Sequence, residues 1–294
     1  SDAAKLGTLG IDNRSTATTI LTLSTVQHLF ALPQETLHPE ARKLLSFTDN
    51  RQDASLQAGH FNDFIQVGLI RGAIHKATLN AGPAGLRDDE LVQRIFDALA
   101  LEFPDYAANP EAKYGAKDDT QRSFRNLLGY MVYRDLRRGW RVSTPNLEQC
   151  GLLKIDYTDL EALCANNADW QKILGEDTHP ALATASPGTR ATIARTLLDY
   201  LRRELAIKVD FLDKDFHEKL KQQSSQHLKQ PWAVDESETR LEHGGVVFPR
   251  ARGQEDFQGN VFLSERGAFG AYLVRPQTFP EFAGGYINRQ QAGD

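Results

Sequence analysis

The residues with the densest chemistry lie between positions 44 and 53. The stretch Leu44-Leu45-Ser46-Phe47-Thr48-Asp49-Asn50-Arg51-Gln52-Asp53 runs from apolar residues straight into polar ones. It predicts a buried strand and then, at once, a helix capped by Asp49, with Gln52 three residues on as a box-like partner. Such a turn exposes free backbone N–H groups and the positive end of a helix dipole, and Arg51 adds a fixed cation, so it is built to meet a phosphate. The same residues also fit a plainer role, an Asp cap beside a surface arginine. A second candidate is Arg134, Arg137 and Arg138, on one side of a predicted helix with Tyr130, Tyr133 and Trp140 interleaved. Arginine with aromatics suits phosphate contact plus base stacking. A solvated helix face with Trp140 in the core is the alternative. Arg202 and Arg203, then Lys219 and Lys221, form a weaker basic candidate with the same alternative.

Most catalytic signatures fail. The chain has no GxxxxGK[ST] phosphate loop, no GxGxxG after a strand, no HExxH, no GxSxG and no CxxC. Its eight His show no ligand spacing. Asp88-Asp89 and Asp118-Asp119 stand at predicted helix starts, where the dipole stabilises negative charge, so their location favours structure over acid/base work. No catalytic residue and no metal site is expected. Cys150 and Cys164 are too few for a disulfide framework and read as small, buried, reduced thiols of a cytoplasmic protein.

The elements that would position these residues are mostly helical. Apolar spacing predicts helices over 15–31, 49–81, 88–101, 118–138, 189–206 and 211–228. Another runs from a Thr158-x-x-Glu161 capping box to about 174. Gly59, Gly68 and Gly72 weaken the second helix and suggest close packing against another element. Short strands are expected at 43–47, 140–143, 151–157 and 246–248, and a β-hairpin over about 260–274. The turn Ala81-Gly82-Pro83-Ala84-Gly85 marks a boundary, giving expected regions 1–81, 82–240 and 241–294. The fold class expected is α/β to α+β, predominantly helical. A strand running into a capped helix is the repeating unit of α/β proteins. Helices 118–138 and 189–206 with short strands between would suit a winged helix.

Composition sets the outer bounds. With 294 residues, 40% hydrophobic and 25% charged, the chain is an ordinary globular sequence of about two domains. No run approaches the ~18 apolar residues of a membrane span, so no membrane partner is expected. The formal net charge is −5, so nucleic-acid binding would need a local patch. Charge is indeed segregated: residues 113–141 carry a net +5 and residues 145–187 a net −5. The acidic stretch and the polar helix 211–228 could instead dock a protein partner. The sole Met is Met131, and the chain opens Ser-Asp-Ala-Ala, which reads as a piece of a longer polypeptide.

Ala41 to Phe64, ARKLLSFTDNRQDASLQAGHFNDF, resembles the start of the second RecA-like domain of large bacterial superfamily 2 DNA helicases, of the DEAD/DEAH type with a cysteine-rich C-terminal region. The likeness is to their motif IV, where a strand ends and a helix begins with Arg-Gln-Asp. Leu9 to Thr18 fits the approach to that domain, and Pro145 to Leu153 and Gly259 to Ser264 look similar to the same group. The resemblance implies a partial RecA-like piece over 1–81, followed by a helical insertion. It implies that Thr48 and Arg51 contact DNA backbone or nucleotide while Asp49 and Gln52 cap and hold the turn. It further implies DNA as partner, single-stranded or at a duplex junction, together with the remaining helicase domains. ATP and Mg are expected only for the whole helicase. Walker A, the DEAD/DEAH box and the QRxGRxGR-like motif are all missing here, so this stretch alone is expected to be inactive as an ATPase.

Overall fold

The computed structural model describes residues 11–45, 51–138, 145–174, 180–234, 240–247, 261–263 and 268–273. These are predominantly helical and fall into two compact units. The first comprises the described residues up to Phe124 together with His227–Ala233; the second comprises Arg125–Gln226 and the described residues from Val234 onward.

The first unit is built on α1 (Ile11–Ala31), α2 (Arg51–Ala81), α3 (Asp88–Leu99), α4 (Phe103–Tyr106) and the opening turns of α5 (Gly115–Arg138). Ile70, Ala73, Ile74 and Ala77 are buried along α2, a spacing that makes one apolar stripe. The chain turns from α2 into α3 through Gly82 and Gly85, both at positive φ, which a side chain would strain. Tyr106 stacks on Phe124 with centroids 4.3 Å apart, and Trp232 meets Phe124 edge-on at 5.0 Å. The returning segment is stitched in by backbone bonds, Ala108 N to His227 O at 2.9 Å and Lys229 N to Tyr106 O at 3.0 Å. Gln66 Nε2 also donates to Pro231 O at 2.7 Å. Between α1 and α2, the buried His60 ring lies 3.3 Å from each of the Thr16 and Thr19 hydroxyls.

The second unit continues along α5 and adds α6 (Leu160–Ala165), α7 (Asn167–Ile173), α8 (Pro180–Ala183), α9 (Pro187–Arg203), α10 (Lys214–His227) and α11 (Ala268–Leu273). Leu160, Cys164 and Trp170 form a core that Tyr157, Leu182 and Leu198 cover. Leu127, Leu128, Met131, Leu212 and Leu220 are buried in this unit as well. Gly129 is required there: a Cβ would sit 2.3 Å from the Phe211 ring. Two strands of two residues each, β1 (Val246–Val247) and β2 (Val261–Phe262), pair in parallel.

Several expectations need correction. No strand forms at Lys43–Leu45; Leu45 is 78% exposed, and the described residues to 81 supply only helices for it to pair with. The α/β character of this region is therefore absent among them; Ser46 and Phe47 lie outside the described residues. The 260–274 hairpin is not made: β2 pairs in parallel with β1, and 268–273 is helical. That apolar run has no period-2 alternation to hold it extended. Among the described residues between α5 and α9 there is no strand of the kind a winged helix would use. Residues 151–157 are irregular, with the Leu152 and Leu153 amides bonded back to Leu147 O; 140–143 lie outside the described residues. The helix expected over 158–174 breaks at Asn166, whose side chain accepts from the Ala168 and Asp169 amides and starts α7 afresh. The Thr158 box does not form; Asp159, at φ 60°, precedes α6. The glycines of α2 face open space, and Cys150 is exposed.

Candidate nucleic-acid interface

Thr48 and Asp49 lie outside the described residues, so the geometry of the turn before α2 is known only from its helical side. There α2 begins at Arg51, with Gln52 next, and continues for 31 residues. Its first N–H groups have no carbonyl one turn back to bond, so this end presents donors and positive potential. Arg51 and Gln52 are the first two residues of that helix.

On α5, Arg134 and Arg137 are half-buried and Arg138 is the last helical residue. Asp135, between them in sequence, is buried. The two described aromatics are already packed against other rings. Tyr130 is 1% exposed with its ring 5.3 Å from that of His217, and Tyr133 stacks on Phe211 at 5.6 Å. For Tyr130 the stacking half of that expectation is corrected, because its ring is buried; Tyr133 is half-buried. Trp140 lies outside the described residues. Arg137 Nε is buried with no hydrogen-bond partner in the protein.

The weaker basic candidate has an internal use that sequence reading missed. Arg202 is buried and donates to Glu148 Oε1 at 2.7 Å, to Asp199 Oδ1 at 3.2 Å and to the Tyr157 hydroxyl at 3.3 Å. Tyr157 in turn donates to Asp199 at 2.8 Å. Arg203 reaches the same Glu148 oxygen at 3.2 Å. Two turns earlier on α9, Arg195 pairs with Asp156 at 2.5 Å and with Glu161. Three carboxylates of the acidic stretch thus close onto three arginines of α9, a charge-assisted clasp in which Arg202 and Arg203 share one Glu148 oxygen and Arg195 bridges two carboxylates. The hydrogen bond from Arg195 lowers the Asp156 carboxyl from near 3.8 to about 2. Burial works to lower the Arg202 pKa, but the bonds to Glu148 and Tyr157 outweigh it and hold the guanidinium charged. Burial also raises the Tyr157 phenol and the Cys164 thiol. Lys219 is exposed and Lys221 half-buried on α10. The signal for the clasp was present as opposite net charges on 145–187 and on Arg195, Arg202 and Arg203, but sequence alone does not pair segments about 50 residues apart.

Among the described residues no group of three or more His, Cys, Asp or Glu could hold a metal ion, and no helix is long and apolar enough to cross a membrane. No protein-family model, no curated protein and no solved structure matches the chain. Its function is argued from its own residues.

Proposed function

We propose that this chain is a nucleic-acid-contacting region of an ATP-dependent DNA helicase of superfamily 2, gripping a single strand or a duplex junction while other domains bind ATP and Mg. The observation that carries the reading is the start of α2 at Arg51, the place where the motif IV resemblance of residues 41–64 puts its strand-to-helix turn. Thr48 and Arg51 are assigned to phosphate contact, Asp49 and Gln52 to holding the turn. Arg134, Arg137 and Arg138 are assigned to backbone contact without base stacking, since Tyr130 is buried and Tyr133 packs on Phe211. ATP hydrolysis is not assigned to this chain, because its sequence lacks the phosphate loop and the arginine-rich motif.

The expected behaviour is weak single-strand binding that fades with salt, each phosphate contact adding about 0.7 to the log–log slope. Fluorescence anisotropy with a labelled oligonucleotide between 50 and 200 mM salt, buffer ranges typical of such titrations, measures it. Arg51→Ala should lower the slope by about one contact, and the Arg134/Arg137/Arg138 triple alanine by more. Unchanged affinity in both variants, with the fold intact, removes the proposed contacts.

A protein-docking module is the second reading, favoured by exposed apolar side chains in the first unit: Ile20, Leu21 and Leu79 are 51%, 68% and 66% exposed. Neighbouring helicase domains would cover the same residues. The acidic stretch gives this reading less support, because Glu148, Asp156 and Glu161 are already paired with α9. A pull-down that survives nuclease treatment, with no DNA binding, would favour docking.

A further inference from the structure

We propose that Arg190 and Trp170 form a subsite for a small oxyanion, a carboxylate or a phosphate group, where α6, α7 and α9 meet in the second unit. α9 carries four arginines. Arg195, Arg202 and Arg203 meet the carboxylates of the clasp. Arg190 meets no carboxylate among the described residues, although it is only 5% exposed. The acids of α6 and α7, Glu161 and Asp169, are taken by Arg195 and by Lys172. A guanidinium cannot lose its charge to escape burial, so a buried one without a counter-charge calls for an anion.

The bonds that Arg190 does make fix its orientation. Nη1 donates to Asn167 Oδ1 at 2.8 Å and to Cys164 O at 3.3 Å, and Cζ stands 5.2 Å from the centre of the Trp170 ring. These bonds use one guanidinium nitrogen. Nε is buried without a partner in the protein, and Nη2 makes no hydrogen bond among the described residues. Nε and Nη2 together are the side-on edge of the guanidinium, which meets a carboxylate or phosphate with two parallel N–H bonds. Trp170 is 7% exposed, and its Nε1 is also buried without a partner. An indole nitrogen only donates, so the ring beside the guanidinium brings a third N–H in need of an acceptor. Three donors, two of them on a cation held in place, suit the oxygens of an anion and offer a cationic or purely donating ligand nothing. Both side chains keep a small exposure, so the pair lies just beneath the surface.

The test follows the Trp170 indole and Arg190 Nε–H signals in proton–nitrogen correlation spectra of the full chain, assigned with Trp170→Phe and Arg190→Lys. Sodium acetate and sodium phosphate are titrated separately, with chloride holding the ionic strength constant. Both signals should move and saturate with one midpoint, while the Trp232 indole, in the first unit, stays in place. The salt with the lower midpoint tells whether the subsite takes a carboxylate or a phosphate group. Arg190→Lys keeps the charge and removes the fork, so it should raise the midpoint read at Trp170 by about tenfold. Signals that move in neither titration would overturn the proposal and leave the three donors to bound water. A Trp170 response unchanged in Arg190→Lys overturns it as well. Should Arg190→Lys fail to fold, the two wild-type signals decide it: a shared midpoint supports one subsite, and different midpoints rule it out.

Discussion

Arg202 is the residue on which most of the second unit's polar geometry converges. It is buried, and its shortest ion pair is to Glu148, whose side chain is 15% exposed. Removing Arg202 leaves Glu148 with the Arg203 contact alone, so the loss falls below the about 3–5 kcal/mol of a fully unpaired buried charge, whereas replacing both by apolar residues of similar volume is close to neutral. Arg202→Met should therefore lower stability by about 2–3 kcal/mol in urea unfolding, and Arg202→Met with Glu148→Leu should recover most of it. A single-site loss with no recovery in the double variant would mean that the tyrosine and Asp199 contacts matter more than the pair. None of this was legible residue by residue. Arg202-Arg203 looked like an exposed basic pair because a dipeptide on a helix shows its charge and not its partners. Gly129 was silent for the same reason: the ring that excludes its Cβ belongs to Phe211, far along the chain.

Among the elements, the long helices and the strand segments at β1 and β2 were readable, and the helix breaks and the strand pairing were not. α2, α3, α5 and α9 repeat apolar residues over several turns, and their observed bounds fall within a few residues of the pattern. The α6–α7 break was missed because Asn166 serves equally well as a helix residue on paper and as a cap in the fold. The parallel β1–β2 pair was missed because its partners are not joined by a tight turn. A hairpin is a local signal and a parallel pair is not. The glycines of α2 give a direct check on packing. Gly72 is exposed and an added Cβ meets nothing within 4 Å, so Gly72→Ala should stabilise by roughly 0.5–1 kcal/mol through helix propensity alone. A destabilised Gly72→Ala protein would show that another surface approaches α2 closely in solution, as the sequence pattern first suggested.

For the molecule as a whole, the net charge of −5 conceals a large internal neutralisation. Three of the seven acids in the 145–187 stretch close on α9. This makes acid an effective probe of the fold. The Asp156 carboxyl is lowered to about 2 by Arg195, so its contribution is fully present above about pH 4 and is lost as pH falls toward 2. The thermal midpoint of the wild type should exceed that of Asp156→Asn at pH 5, and the two should converge near pH 2. A constant gap would show that the Arg195 pair does not form in solution. The two-unit organisation was only partly legible, because composition suggests a number of domains and cannot show that one of them borrows a segment from far downstream.

That borrowed segment sets an order of events during synthesis. Tyr106 and Phe124 emerge early, but the indole that covers Phe124 belongs to Trp232. At ~5–20 residues per second the ribosome needs about 5–20 s to make the intervening hundred or so residues. For that interval the nascent first unit carries an open aromatic face, and what holds it soluble until Trp232 arrives is the translating cell and not the fold.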